Sequence, residues 1–81
     1  MEHGKFSTAI AGVDVGKFNL DAAIEGVGTQ FQTSNDAQGI KALCDWLSRH
    51  DVRRVGMEAT GGYERPLRLA LEAEGIEVVV H

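Results

Sequence analysis

The chain has 81 residues, 43% of them hydrophobic and 25% charged, with one proline and a formal net charge of −4. This composition excludes a disordered or low-complexity chain, and the length limits it to one small domain that buries about 60 to 65% of its unfolded surface. The acidic balance argues against nucleic-acid binding by bulk electrostatics.

The apolar runs are far shorter than the roughly 18 to 20 residues a membrane span needs, and Met1–Lys5 lacks the apolar segment of a signal peptide, so a cytoplasmic protein without a membrane partner is expected. Cys44 is the single cysteine, which excludes an internal disulfide and reads as a small core residue on a helix.

Residues 8 to 15, TAIAGVDV, are small or β-branched and predict a central strand buried on both faces. Asp14 is the one carboxylate in it, and Gly16 ends the run. From Phe18 to Ile24 the apolar residues Phe18, Leu20, Ala22 and Ile24 alternate with Asn19, Asp21 and Ala23, the period of a second strand. Gly26 and Gly28 turn the chain into a third, more polar strand over Thr29–Thr33, and the short connections make an antiparallel meander with the third strand at its edge.

Asn35 followed by Gln38 has the spacing of a capping box, and Ile40, Leu43, Cys44 and Leu47 form one helical stripe flanked by Trp46. A short strand over Arg53–Glu58 follows that helix, which makes the helix a crossover and the strand a parallel neighbour of the first. After Gly61 and Gly62, a second helix carries Tyr63, Leu67, Ala70 and Leu71 on one face, takes Pro66 in its first turn and stops at Gly75. Ile76–Val80 is the fifth strand.

The resulting α/β pattern, β-β-β-α-β-α-β with a mixed five-stranded sheet, is the order of the ribonuclease H-like architecture. The same opening also begins the actin-like ATPases and sugar kinases. The final run, Glu77–His81, is β-branched and apolar with no polar tail, so residues 1–81 read as a folded piece of something larger.

Asp14 falls at the C-terminal end of the first strand and Glu58 at that of the fourth. Parallel neighbours lie about 4.8 Å apart, so the two carboxylates would sit side by side at the sheet edge where open α/β folds bind ligands. Two bare carboxylates repel, and a proton or a cation between them relieves the repulsion. Hard oxygen donors suit Mg²⁺ or Mn²⁺, and such ions can serve phosphodiester chemistry. The same positions also suit acids that merely face water, and spacing alone leaves both readings open. Thr60, Gly61 and Gly62 precede a helix N-terminus that can accept phosphate through backbone N–H groups, and Lys17 after Gly16 can contact a phosphate.

The stretches AGVDVGKFNLDAAI, GIKALCDWL and MEATGGYERPLRLALEAEGIEVVV together resemble the N-terminal part of the DEDD transposases of bacterial insertion sequences. The catalytic domain of that family is similar to Holliday-junction resolvases of the RuvC type. The resemblance implies that Asp14 and Glu58 are metal ligands and catalytic residues, with Mg²⁺ or Mn²⁺ as cofactor. It gives supporting roles to Thr60, Gly61 and Tyr63. The family's third and fourth acids, a D-x-x-D pair, and the domain with its proposed serine nucleophile would fall after His81, so the chain alone is expected to be inactive. The implied activity is DNA cleavage and strand exchange by a homo-oligomer, in some members guided by a structured RNA.

The resemblance gives the basic residues a setting, in which Lys17, Arg53, Arg54, Arg65 and Arg68 can supply local phosphate contacts although each also suits solvated surface. Among these, Lys17 and Arg65, with Thr60 and Tyr63, are the candidate nucleic-acid contacts. Asp21 reads as a polar-face residue that is able to approach Asp14, while His3, His50 and His81 lack metal-ligand spacing, and His50 suits a helix C-terminus. Two other readings compete: the phosphate-binding lobe of an actin-like ATPase or sugar kinase, built on GVDVGK, and a non-catalytic module that dimerises through its last strand.

Overall fold

Alternation along the strands decides which side of the sheet meets the helices. The computed structural model describes residues 9–81, in seven elements: β1 (Ala9–Val15), β2 (Asn19–Ile24), β3 (Gln30–Ser34), α1 (Ala37–Arg49), β4 (Val52–Met57), α2 (Arg65–Ala73) and β5 (Glu77–Val80). His3 and Thr8 lie outside the described residues. The strands form one mixed sheet in the order β3-β2-β1-β4-β5, antiparallel across the first three and parallel from β1 to β4 to β5. The expected meander, its edge strand and both parallel crossovers are all present.

Ala11, Val13 and Val15 of β1, Leu20, Ala22 and Ile24 of β2, and Val55 and Met57 of β4 are buried together with Leu43 and Leu47 of α1 and Leu67 and Leu71 of α2. The expectation that β1 is buried on both faces does not hold. Ile10 and Gly12 are half-buried and Asp14 is exposed. Both crossovers step the same way along the sheet, and right-handed connections that advance in one direction place both helices on the same face. The opposite face stays open.

Three local expectations are corrected. Phe18 is not part of the buried alternation but 70% exposed. The Gly16 N–H donates to the Asn19 carbonyl at 2.8 Å, which closes a tight turn and leaves Phe18 on its outside. Asn35 does not cap α1. Asp36 does, its carboxylate accepting from the Gly39 N–H at 2.8 Å and from the Ser34 hydroxyl at 2.9 Å. Tyr63 belongs to the turn before α2 and not to its buried face, and it is 45% exposed.

Other details follow the sequence closely. Ile40, Leu43, Cys44 and Leu47 form the buried stripe of α1, and burial pushes the Cys44 thiol pKa up, as befits a core residue. Trp46 is buried as well and stacks on Phe31 of the edge strand, ring centroids 5.3 Å apart. Pro66 occupies the first turn of α2, and Gly75, at φ 80°, ends it. His50 is the C-cap residue of α1 and its ring leans on Trp46. No helix among the described residues is long and apolar enough to cross a membrane.

Candidate functional site

β1 and β4 run parallel with Val13 opposite Met57, so the next residue of each, Asp14 and Glu58, emerges side by side at the C-terminal edge of the sheet. Val13 and Met57 point into the core, and the alternation sends both carboxylates to the open face, where both are exposed. Backbone hydrogen bonds extend the ladder past β4. The His81 N–H donates to the Met57 carbonyl at 2.9 Å and the Ala59 N–H to the His81 carbonyl at 3.1 Å, which fixes the backbone on both sides of Glu58.

Asp21 of β2 lies directly opposite Asp14 in the antiparallel register. Its carboxylate accepts a hydrogen bond from the Gln32 side-chain amide at 2.5 Å. The row Asp21, Asp14, Glu58 and His81 thus crosses four strands and borders an open cleft of about 500 Å³ whose floor includes Gly12, Ala23 and Gly56. Gly12 and Gly56 pair with each other, and a Cβ built on either meets no atom within 4 Å, so the floor is flat and open to an approaching ligand. Among the described residues, no group of three or more His, Cys, Asp or Glu is arranged to hold a metal ion. Asp14 and Glu58 supply two hard oxygen donors in a like-charged pair, which suits a partial set for a divalent cation.

Two loops border the site. The first, Gly16–Phe18, carries the Lys17 ammonium 5.2 Å from the centre of the Phe18 ring. The second, Ala59–Glu64, is closed on itself: Glu64 Oε1 accepts from the Thr60 hydroxyl at 2.7 Å, the Thr60 N–H at 3.0 Å and the Gly62 N–H at 3.2 Å. The Thr60 hydroxyl, then the backbone donors, hold the Glu64 carboxyl at a pKa of about 2. The N–H groups expected to await a phosphate therefore already have an internal anion. Sequence reasoning missed Glu64: Thr60 and Glu64 are four residues apart, one more than a capping box spans, and Glu64 is itself the N-cap residue of α2, so no standard capping pattern marks the pair.

Asn35 joins the two loops. Its side-chain amide donates to the Gly16 carbonyl at 2.9 Å and to the Tyr63 carbonyl at 3.1 Å. Of the basic residues, Arg53, Arg54 and Arg68 lie in exposed ion pairs with Asp51, Glu77 and Glu72 at 3.5, 3.0 and 3.3 Å. Among the described residues Lys17 and Arg65 form no ion pair.

Residues 11–81 match the family of DEDD transposases of the IS110 type, described as "Transposase". In fold the chain resembles T. thermophilus RuvC in complex with Holliday junction substrate, with a TM-score of 0.65 and 13% sequence identity over 93% of this chain and 64% of that one. It thus spans less than two thirds of that structure. No curated protein matches the sequence.

Proposed function

Since the chain belongs to the DEDD transposase family, we propose that it is the N-terminal part of a RuvC-like catalytic domain that cuts and joins DNA, with Asp14 and Glu58 as two of its divalent-metal ligands. The observation that carries this reading is the placement of those two carboxylates side by side on an uncovered sheet face, one residue beyond the Val13–Met57 pair. The open glycine floor beside them fits the approach of a nucleic-acid backbone.

Each residue has a role in the proposal. Asp14 and Glu58 would hold Mg²⁺ or Mn²⁺, leaving the other positions to water, substrate and further acids. Such an ion, when bound, activates a nucleophile and stabilises the leaving oxygen of a phosphodiester. Lys17 and Arg65 supply phosphate contacts at the rim. Thr60 builds its loop through Glu64, and Tyr63 lies exposed at the border of the site. The DNA partner, homo-oligomerisation and a structured guide RNA belong to the same reading of the family.

Titration of the protein with Mn²⁺, followed by NMR, tests the metal site. Paramagnetic broadening centred on the amides of Asp14 and Glu58, lost in both Asp14→Ala and Glu58→Ala with the remaining spectrum intact, is the expected result. Broadening that survives in either variant would remove that residue from the site.

A further inference from the structure

The geometry points to Asn35 as the positioning residue that makes the two loops around the carboxylates one unit, so that Phe18 and Tyr63 present a joint stacking surface to an unpaired DNA strand. The inference rests on the proposed function for the choice of DNA as ligand. Its structural basis is independent of any metal.

Asn35 reaches both loops at once. Its own N–H donates to the Phe18 carbonyl at 2.8 Å, and its side-chain amide donates to the carbonyls of Gly16 and Tyr63. The backbones that carry the two aromatic rings are therefore tied to a single residue between β3 and α1. Neither donor is a helix cap, since Asp36 performs that task for α1. The orientation of the amide also follows from these contacts: with both N–H groups directed at carbonyls, Asn35 Oδ1 is buried without a hydrogen-bond partner among the described residues.

The rings themselves have little structural use. Phe18 is 70% exposed and Tyr63 45% exposed, and neither belongs to the buried core. Large exposed apolar side chains held on a fixed backbone are characteristic of ligand-contacting surfaces. Aromatic faces stack on any base, and the Lys17 ammonium beside the Phe18 ring supplies charge to the neighbouring phosphate. This combination also offsets the acidic balance of the chain, because stacking does not depend on net charge.

Amide hydrogen exchange and the binding of a short oligothymidylate test the inference. In Asn35→Ala, and in Asn35→Asp, which has nearly the same shape but no side-chain N–H, exchange at Gly16 and at Arg65 is expected to accelerate together while Val13 and Val55 keep their protection. Oligothymidylate affinity should fall at least about fivefold in both variants, the loss expected from one stacked base. Phe18→Ala should weaken binding similarly without changing exchange at Arg65. Wild-type affinity in Asn35→Asp, acceleration confined to one loop, or no oligothymidylate binding by the wild-type protein would overturn the inference. Mn²⁺ broadening at Asp14 and Glu58 should persist in the Asn35 and Phe18 variants. Its absence from the wild-type protein would instead count against the metal site and leave the exchange and stacking results standing.

Discussion

Asp14 and Asp21 form a directly opposed cross-strand pair of like charge on the open face of the sheet, with Asp21 further tied to Gln32. Such a pair is unfavourable for folding, since like charges directly opposite on neighbouring strands destabilise a sheet. Its presence in a domain this small is understandable if the carboxylates are retained for a cation. The expected outcome is that Asp14→Asn makes the metal-free protein more stable, by about 0.2 to 1 kcal/mol, while abolishing Mn²⁺ broadening at the site. Urea denaturation measures the first effect, and the gain should shrink as salt screens the pair. A less stable Asn variant would mean that Asp14 has a structural partner.

The loop that carries Thr60 and Gly62 depends on the ionised Glu64 carboxylate. Its pKa is lowered in the folded protein, from the usual 4.5 to about 2, with the Thr60 hydroxyl as the main cause. A depressed carboxylate pKa contributes stability above the unfolded value, and that contribution is lost as the pH falls through the folded value. Slow hydrogen exchange at the Thr60 amide, corrected for the intrinsic rate, is thus expected to be retained above pH 4.5 and lost progressively towards pH 2. Glu64→Gln should remove most of that dependence. A wild-type protein with pH-independent protection at Thr60 would contradict the assignment.

The residues that were readable from sequence share one property: their position follows from a local period. Asp14 and Glu58 could be placed at neighbouring strand ends because strand alternation, the crossover rule and the glycines that follow each strand all agree. What escaped was set by competition between near-equivalent neighbours or by tertiary geometry. Asn35 and Asp36 are both good capping residues, and only the approach of Ser34 to α1 decides between them. Phe18 obeys the period of β2 but is excluded from it by a turn hydrogen bond. The open face was concealed because small residues such as Gly12 suit both a doubly covered strand and an exposed, flat one. Asn35 as a link between loops 19 and 28 residues away has no local signature at all.

Gly39 is a sharper test of packing than any leucine in the core. It sits in the first turns of α1, where alanine is intrinsically favoured over glycine by about 1 kcal/mol. A Cβ built there, however, would lie 1.8 Å from the backbone oxygen of Ser34, an atom fixed at the end of β3. Overpacking of this kind costs about 1 to 3 kcal/mol or more and outweighs the propensity gain. Gly39→Ala should therefore lower the urea midpoint clearly. Unchanged or increased stability would show that α1 can shift away from β3 without cost.

Gly56 offers the opposite case and a test of which face works. It pairs with Gly12 on the cleft floor, and a Cβ there meets nothing within 4 Å. Valine favours strands over glycine, so Gly56→Val is expected to leave stability within about 0.5 kcal/mol of wild type or to raise it. The added side chain nonetheless stands in the cleft beside Glu58, where it obstructs a DNA backbone far more than a small hydrated ion. Oligothymidylate binding should weaken while Mn²⁺ broadening at Asp14 and Glu58 remains. Because the variant changes shape and not charge, its effect on binding separates occupation of the open face from simple electrostatic attraction. Undiminished oligothymidylate binding would move the nucleic-acid path off this face, whereas a loss of stability would mean that the floor is already in contact with other parts of the chain.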